Sequence, residues 1–221
     1  MTLPSPSPGT WLSRIEPRLS EQLRFLIEAD RLKRVVRGTR IADGSRRENT
    51  AEHSWHLALF AMILSEWAVG PIDVFRVVQM LIVHDLVEIE SGDTPLHDSK
   101  GAETQREREM LAAETLFGML PPDQKSLVQN LWMEFEAAET ADARFAKALD
   151  RLQPILLNHL VGGGTWVDYA VDERRERELT KRIADGAPAL WVAAEQIFAE
   201  AVQNGWLRAA PAIDPGESHE M

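Results

Sequence analysis

Cysteine is absent from the 221-residue sequence, and acidic residues outnumber basic ones. Without thiols, disulfide bonds and thiolate zinc sites are both excluded. The 24 Lys and Arg against 35 Asp and Glu leave a formal net charge of −11. This balance argues against a nucleic-acid polymer as the main partner, because phosphate backbones are bound through basic surfaces. A small phosphorylated ligand is still compatible with it, since a metal ion and a few local arginines can hold one.

Long apolar runs are also lacking, and the first residues do not follow the basic-then-apolar pattern of a secretory signal. We therefore expect no membrane partner and a cytoplasmic location. The remaining composition is ordinary for a globular protein, with 44% hydrophobic and 27% charged residues. A chain of this length can bury a substantial core.

No segment shows a convincing alternation of apolar and polar residues, whereas helical periodicity recurs along the chain. The sequence therefore predicts an all-α fold, and the short linkers favour a single compact multi-helix domain. We place this domain at residues 19–206. A flexible arm rich in proline and serine is predicted at 1–18, and a flexible tail at 207–221.

Capping residues give approximate limits for the helices. Asn49-Thr-Ala-Glu52 has the pattern of a capping box, Asp73 is a further N-cap, and either Thr140 or Asp142 caps a later helix. The predicted helices begin near Leu19 and then cover about 51–69, 73–91, 103–120, 122–139, 143–161, 171–185 and 188–204. The basic segment 31–47 is expected to be irregular, because it is interrupted by turn residues.

The stretch from His84 to Thr94 follows the wholly apolar Met80–Val83. Polar groups in such a setting usually survive by pairing or by holding a metal, because burying an unpaired charge costs several kcal/mol. On a continuous helix His84 and Glu88 would share a face, and Asp85 would be a neighbour of Glu88. This convergence indicates half of a metal site with a carboxylate beside it.

The other half needs a histidine and a carboxylate from elsewhere in the chain. His53 and His56 lie near the start of one predicted helix, and Asp150 is flanked by apolar residues on another. A salt bridge of Asp150 with Arg151 or Lys147 is the competing interpretation. We expect a structural role for His159, and solvated side chains for His97 and His219.

Three segments stand in a fixed order along the chain: Arg47-Glu-Asn-Thr-Ala-Glu-His-Ser54, His84-Asp-Leu-Val-Glu-Ile-Glu-Ser-Gly-Asp-Thr94 and Ala148-Leu-Asp-Arg-Leu-Gln-Pro154. Together they resemble the HD-domain metal-dependent phosphohydrolases, and more narrowly their 5′-deoxynucleotidase branch. The resemblance spans roughly residues 20–205. It implies an HD-domain fold and the chemistry of a phosphohydrolase.

The resemblance also implies roles for individual residues. The matched metal ligands are His53, His84, Asp85 and Asp150. Glu88 matches the catalytic carboxylate, and Asp93 matches a second acidic residue in a Gly-Asp-Thr turn. His56 falls at a position that is not a ligand, so a packed, hydrogen-bonded histidine is expected there. The implied cofactor is one divalent transition metal (Co, Mn, Fe, Ni or Zn), and an octahedral ion would keep positions open for water and substrate.

Substrate contacts follow less directly from the resemblance. The family's nucleotidases hold the phosphate with a basic residue upstream of the first histidine, a role that Arg37 or Arg40 can fill here. Thr94, beside Asp93, is a further candidate. These nucleotidases also use an upstream tryptophan to screen the sugar, but this sequence has none between Leu12 and Ser54.

The predicted function is a metal-dependent phosphomonoesterase that releases phosphate from (deoxy)nucleoside 5′-monophosphates. The alternatives are an HD-type hydrolase of nucleoside triphosphates or guanosine alarmones, and a non-catalytic scaffold that keeps the metal for stability. A structural metal would need neither Glu88 nor Asp93. A homodimer is expected by analogy with the family and from the 7 tryptophans.

Overall fold

The structure is a computed structural model that describes residues 9–94, 96–97 and 99–210, with the backbone alone for 99–103. Residues 1–8 of the predicted N-terminal arm and 211–221 of the predicted tail, including His219, lie outside the described residues. The helices are α1 (Pro17–Ala29), α2 (Thr50–Leu64), α3 (Val74–Val83), α4 (Glu88–Ser91), α5 (Ser99–Phe117), α6 (Pro122–Ala137), α7 (Ala141–Leu160), α8 (Thr165–Asp168), α9 (Glu173–Thr180), α10 (Ile183–Gly186) and α11 (Pro188–Gln203). Short 3-10 helices occupy Thr10–Arg14, Asp30–Arg34 and Ser65–Trp67. The all-α prediction is confirmed.

The basic segment was predicted to be irregular, and this is wrong. It forms an antiparallel hairpin of β1 (Val36–Arg40) and β2 (Arg47–Asn49). The amide of Gly44 donates to the carbonyl oxygen of Ile41 at 2.8 Å, and Gly44 has a φ of 71°, a conformation that glycine adopts without steric cost. Strands of five and three residues are too short to show alternation in a sequence. The hairpin matters because it delivers Arg37 and Glu48 to the site.

Two of the predicted caps set the register of helices that carry site residues. Asn49 Oδ1 accepts from the amide of Glu52 at 2.9 Å, and the Glu52 side chain accepts from the amide of Asn49, which completes the capping box. Thr140, rather than Asp142, caps α7 by accepting from the amide of Ala143 at 3.1 Å. Both helices therefore begin at a defined residue, and this fixes which faces carry His53 and Asp150.

The predicted helix over 73–91 is wrong in one respect that bears on function. α3 ends at Val83, residues 84–87 form a turn, and α4 restarts at Glu88. Within this turn the amide of Glu88 donates to the carbonyl oxygen of Asp85 at 3.0 Å, an i→i+3 bond. Such tight turns eclipse side chains three residues apart, so Asp85 and Glu88 lie side by side.

The interior contains two apolar clusters, and the 84–87 turn connects them. The larger cluster surrounds α7, which is buried along most of its length, and includes Met80 and Leu81 from α3. The smaller cluster joins α1, α5 and α6 and includes Leu86 and Val87. Polar side chains between the two clusters are thereby removed from solvent. No helix in the described part of the chain is both long and apolar enough to cross a lipid bilayer.

The C-terminal region departs from its predicted single helix over 171–185. The structure has two shorter helices there, α9 and α10. At the end of α10, a Cβ atom on Gly186 would lie 2.2 Å from the carbonyl oxygen of Arg144. This close approach of two backbones requires glycine and brings α10 against the start of α7.

Candidate metal centre

The four predicted ligands come together in the structure. His53 is on α2, His84 and Asp85 are in the turn after α3, and Asp150 is on α7. Nε2 of His53 lies 3.1 Å from Oδ1 of Asp150, and Nε2 of His84 lies 3.1 Å from Oδ2 of Asp85. The cross distances are 3.7 Å from His84 Nε2 to Asp150 Oδ1 and 3.9 Å from His53 Nε2 to Asp85 Oδ2. Two imidazole nitrogens and two carboxylate oxygens therefore face one another.

Hydrogen bonds on the far side of each ring orient the two imidazoles. Nδ1 of His53 lies 3.1 Å from Oε1 of Gln153, and Nδ1 of His84 lies 2.9 Å from the carbonyl oxygen of Leu81. Both partners are acceptors, so each Nδ1 can carry a proton, and with a metal bound each Nε2 would offer its lone pair to the ion. Metal-ligating histidines almost always donate their other ring N–H to such an acceptor.

The donor set fits a divalent transition metal. His84 is only 3% exposed, and its Nε2 has no hydrogen-bond partner among the described residues. Buried polar atoms without partners are uncommon and call for a physical explanation. A metal ion between the nitrogens and the carboxylates would supply the missing bond, and imidazole with carboxylate suits several first-row ions.

Both ligand carboxylates are held in the ionised form. Burial acts to raise the pKa of Asp85, but the charge of His84, together with Arg37, lowers it to about 2. Burial likewise opposes ionisation of Asp150, and the hydrogen bond with His53 together with the charges of Arg151 and His84 keeps the pKa of Asp150 well below its usual value. Burial lowers the pKa of His84, yet the two aspartates more than offset this and raise it. The cluster thus demands a positive charge, from a proton or from a metal.

Glu88 and Asp93 lie beside this cluster. Glu88 is 7% exposed, and its Oε2 accepts a hydrogen bond from Oγ1 of Thr50 at 2.9 Å. Burial and the charge of Asp85 raise the pKa of Glu88, and burial also raises the pKa of Asp93. Two carboxyl groups with a strong affinity for protons therefore adjoin the ligands.

The structure brings Arg37 to the site and leaves Arg40 outside it. Nη1 of Arg37 lies 3.0 Å from Oδ2 of Asp85 and 3.7 Å from Oδ1 of Asp93. Because side chains alternate along a strand, Arg40 is on the opposite, exposed side of β1, where its Nη1 donates to the carbonyl oxygen of Gly44. Thr94 lines the cavity described below, and its Oγ1 accepts from Nη2 of Arg108 at 3.1 Å.

Sequence reasoning missed the residues that support the ligands. Nε2 of Gln153 donates to Oε1 of Glu48 at 2.8 Å, while its Oε1 faces His53. Burial raises the pKa of Glu48 to about 7. A signal was available, because Gln153 is three residues after Asp150 on one helix. Glu48 and Thr50 both stand just before His53 in the first matched segment.

The other histidines of the described residues do not face the ligand cluster, although Nδ1 of His56 lies 3.3 Å from Nε2 of Gln153. His97 is not solvated as predicted, since its side chain is 6% exposed and its Nε2 lies 3.4 Å from Oε2 of Glu176. His56 is half-buried and packs edge-on against Phe60. His159 pairs with Glu200 at 3.2 Å, in keeping with a structural role.

A cavity of about 920 Å³ opens over the cluster, within the range of small-molecule sites. At one end it is lined by the site residues Arg37, His84, Asp85, Glu88, Asp93 and Asp150. Arg151 lines it beside Asp150, and His97 and Glu176 line it elsewhere. The volume greatly exceeds that of a phosphate group, so the cavity can also hold the organic part of a phosphorylated ligand.

Known proteins resemble this chain in sequence and in structure. The family model described as HD domain matches residues 29–191. The human 5′-deoxynucleotidase HDDC2 is 32% identical over 135 residues, which are 61% of this chain and 65% of that protein. The Xenopus laevis protein of the same name is also 32% identical, over 61% of this chain and 66% of its own length. The chain thus covers just under two thirds of these curated relatives.

One solved structure matches this chain over the whole length of the solved protein. It is the crystal structure of a predicted metal-dependent phosphohydrolase from Magnetospirillum magnetotacticum, which is 48% identical with a TM-score of 0.82. The match covers 89% of this chain and 100% of that one.

Proposed function

The chain belongs to the HD domain family, and on this basis we propose that it is a metal-dependent phosphomonoesterase acting on (deoxy)nucleoside 5′-monophosphates. The observation that carries the proposal is that Nε2 of His53 and Nε2 of His84 each lie within 4 Å of a carboxylate oxygen of both Asp85 and Asp150 beside a cavity. The names of the human and Xenopus relatives support the substrate class.

The four ligand side chains would hold one divalent ion, with Co, Mn, Fe, Ni and Zn as candidates. Such an ion, when bound, supplies Lewis-acid polarisation of the phosphoryl group and acidifies a nearby water. Gln153 and the carbonyl oxygen of Leu81 keep both Nε2 atoms directed at the cluster. The protein's contribution at this end of the cavity is therefore a preformed donor set.

Glu88 is the proposed general base. The hydroxyl of Thr50 holds Oε2 of Glu88, and the ionised carboxylate would accept a proton from the attacking water. Burial and the charge of Asp85 raise the pKa of Glu88 to about 9, so Glu88 would act as a base when a divalent ion at the neighbouring ligands stabilises its ionised form. Its position beside the ligand Asp85 would put this acceptor next to the reacting phosphate.

Asp93 and Arg37 are proposed to act on the substrate directly. The raised pKa of Asp93 suits a carboxyl group that gives a proton to the leaving 5′ oxygen or hydrogen-bonds a sugar hydroxyl. Arg37 can donate two parallel hydrogen bonds to phosphate oxygens, as guanidinium groups commonly do. Thr94 adds a hydroxyl group to the same wall of the cavity.

The test uses metal-stripped full-length protein that is given back one divalent ion at a time. Inorganic phosphate is measured with nucleoside 5′-monophosphates, and all phosphate products are measured with nucleoside triphosphates and guanosine alarmones. Release from monophosphates alone supports the proposal. Pyrophosphate or triphosphate products would favour the second hydrolase, and no release with any ion would favour a metal-stabilised scaffold.

We also propose that the protein forms a homodimer through the outer face of α2. Trp55, Leu59, Met62 and Ile63 recur at helical spacing on this face and are 42–67% exposed. Contiguous exposed apolar patches of this kind often mark protein interfaces. Light scattering coupled to size exclusion should give twice the chain mass, and a Met62→Glu, Ile63→Glu double variant should give the chain mass. A monomeric wild-type protein would reject the dimer.

A further inference from the structure

Arg151 lies next to the ligand cluster and has no part in the mechanism above. It follows Asp150 in α7, lines the cavity, and has 29% of its side chain exposed. Its Nη1 lies 3.5 Å from Oδ2 of Asp150, too far for a good hydrogen bond. Among the described residues its guanidinium makes this ion pair and no hydrogen bond. A group with five N–H donors therefore faces the cavity with its donors unused.

Two other cations near the cluster already donate hydrogen bonds to carboxylates of the protein. Arg37 donates to Asp85 at 3.0 Å and also lies 4.0 Å from Glu48. Lys147 donates to Glu136 at 2.8 Å and lies over the ring of Phe135. Among the described residues, Arg151 is thus a cation beside the ligands that donates no hydrogen bond to the protein, whereas Arg37 and Lys147 each donate at least one.

The two oxygens of Asp150 place Arg151 relative to the ligand nitrogens. Oδ1 faces His53 and His84, while Oδ2 faces Arg151. The guanidinium is therefore separated from the ligand nitrogens by the width of one carboxylate. Arg37 contacts the other ligand carboxylate, Asp85, so the two arginines approach the cluster through different ligands.

A charge balance shows why a second arginine is needed. Asp85 and Asp150 together offset the charge of a divalent ion. Arg37 adds one positive charge, part of which is offset by Asp93 at 3.7 Å. A phosphate monoester carries about two negative charges near neutral pH, so Arg37 alone leaves negative charge unmatched at a buried site.

We propose that Arg151 is a second phosphate-binding residue, which donates hydrogen bonds to non-bridging oxygens of the substrate phosphate from the Asp150 side. The choice of phosphate as the anion rests on the proposed function. The phosphate then lies between two guanidinium groups above the ligand cluster, with its ester oxygen directed along the cavity.

The experiment measures binding of inorganic phosphate to metal-loaded, full-length protein by calorimetry. The variants are Arg151→Gln and Arg151→Lys, and the matched control is Arg182→Gln, an exposed arginine that lines the same cavity. We expect Arg151→Gln to raise the Kd for phosphate about tenfold or more, because a charge-assisted hydrogen bond is lost. The Lys variant should lose less, and the control should stay within about twofold of wild type.

A parallel titration of the metal separates substrate binding from a role through Asp150. Metal affinity equal to wild type in both Arg151 variants supports the proposal. A loss of metal affinity as large as the loss of phosphate affinity overturns it, since Arg151 would then act by holding the ligand Asp150. An unchanged phosphate Kd, or no phosphate binding by the wild-type protein, also overturns it.

Two further readouts keep the outcome unambiguous. Thermal unfolding shows whether each variant is folded, and if Arg151→Gln is not, the Lys variant decides alone. Phosphate binding needs no turnover, so the proposed function can fail while the inference stands. If the protein binds phosphate through Arg151 but hydrolyses no monophosphate, the proposed function is rejected and the role of Arg151 stands.

Discussion

Two parts of the cavity lining each pair buried imidazoles with carboxylates, yet the charge states of the paired carboxylates differ. At the ligand cluster, Asp85 and Asp150 have lowered pKa values, so both are ionised. At the other end, burial lowers the pKa of His97 to about 4 and raises the pKa of Glu176 to about 7. This pair loses its charge, because Trp166 and Arg151 do not compensate for the desolvation of Glu176 and the nearby arginines further disfavour a charged His97.

The difference lies in the number and orientation of partners. Each ring at the cluster has an acceptor behind it and two carboxylates in front. Nδ1 of His97 and Oε2 of Glu176 have no hydrogen-bond partner among the described residues. Proximity of histidine to a carboxylate is therefore insufficient for a metal site. The acceptors behind His53 and His84, which orient both rings, distinguish the ligand cluster from the His97–Glu176 pair.

The largest expected effect comes from removing the base at the ligand end. Glu88→Gln keeps the size of the side chain and can retain the hydrogen bond from Thr50, but it cannot take up a proton. We expect kcat on a nucleoside monophosphate to fall by about 10²–10⁴-fold, with metal content by mass spectrometry equal to wild type. A variant with wild-type kcat would show that another group accepts the proton.

A smaller effect is expected from the residue that orients His53. Gln153→Ala removes the acceptor behind the ring and the donor to Glu48, and second-shell losses of this kind weaken metal binding about 10–100-fold. Competition with a chelator measures the change. Gln129→Ala, a glutamine on α6 that lines the same cavity, is the control. Equal metal affinities in the two variants would show that the acceptor behind His53 does not contribute to metal binding.

The smallest effect is a change in stability at the His97 end, where no loss of metal is expected. The pKa of Glu176 is about 7 when folded and about 4.3 when unfolded, so the folded state binds more protons between these values. Glu176 consequently costs no stability below about pH 4 and costs progressively more as pH rises to 7. Glu176→Gln should therefore gain about 1–3 kcal/mol in free energy of unfolding at pH 8 relative to pH 4.

Urea unfolding at both pH values, with metal content as the companion measurement, checks this expectation. The lowered pKa of His97 acts in the opposite direction, because it costs no stability above pH 6.5 and costs progressively more as pH falls toward 4. Both proteins carry His97, so the comparison measures the effect of Glu176 together with its contact with His97. A variant equally stabilised at both pH values would contradict the titration of Glu176.

Local signals in the sequence predicted much of the fold. The capping box at Asn49 and Glu52, the Asp73 cap and the helical periodicity depend on neighbouring residues, and the helices lie near their expected places. The hairpin and the break after Val83 were not predicted. Both depend on packing, since the hairpin docks polar side chains into the site and the break connects the two apolar clusters.

The sequence by itself determined the chemical groups available: two pairs of histidine and aspartate, Glu88, and arginines in an otherwise acidic chain. The tertiary structure decided which of them meet. His53 and Asp150 are 97 positions apart, and only the packing of α2 and α3 against α7 brings their side chains to 3.1 Å. Strand alternation likewise selected Arg37 over Arg40, and burial removed His97 from solvent. Such distances arise from contacts between remote segments, which no local pattern encodes.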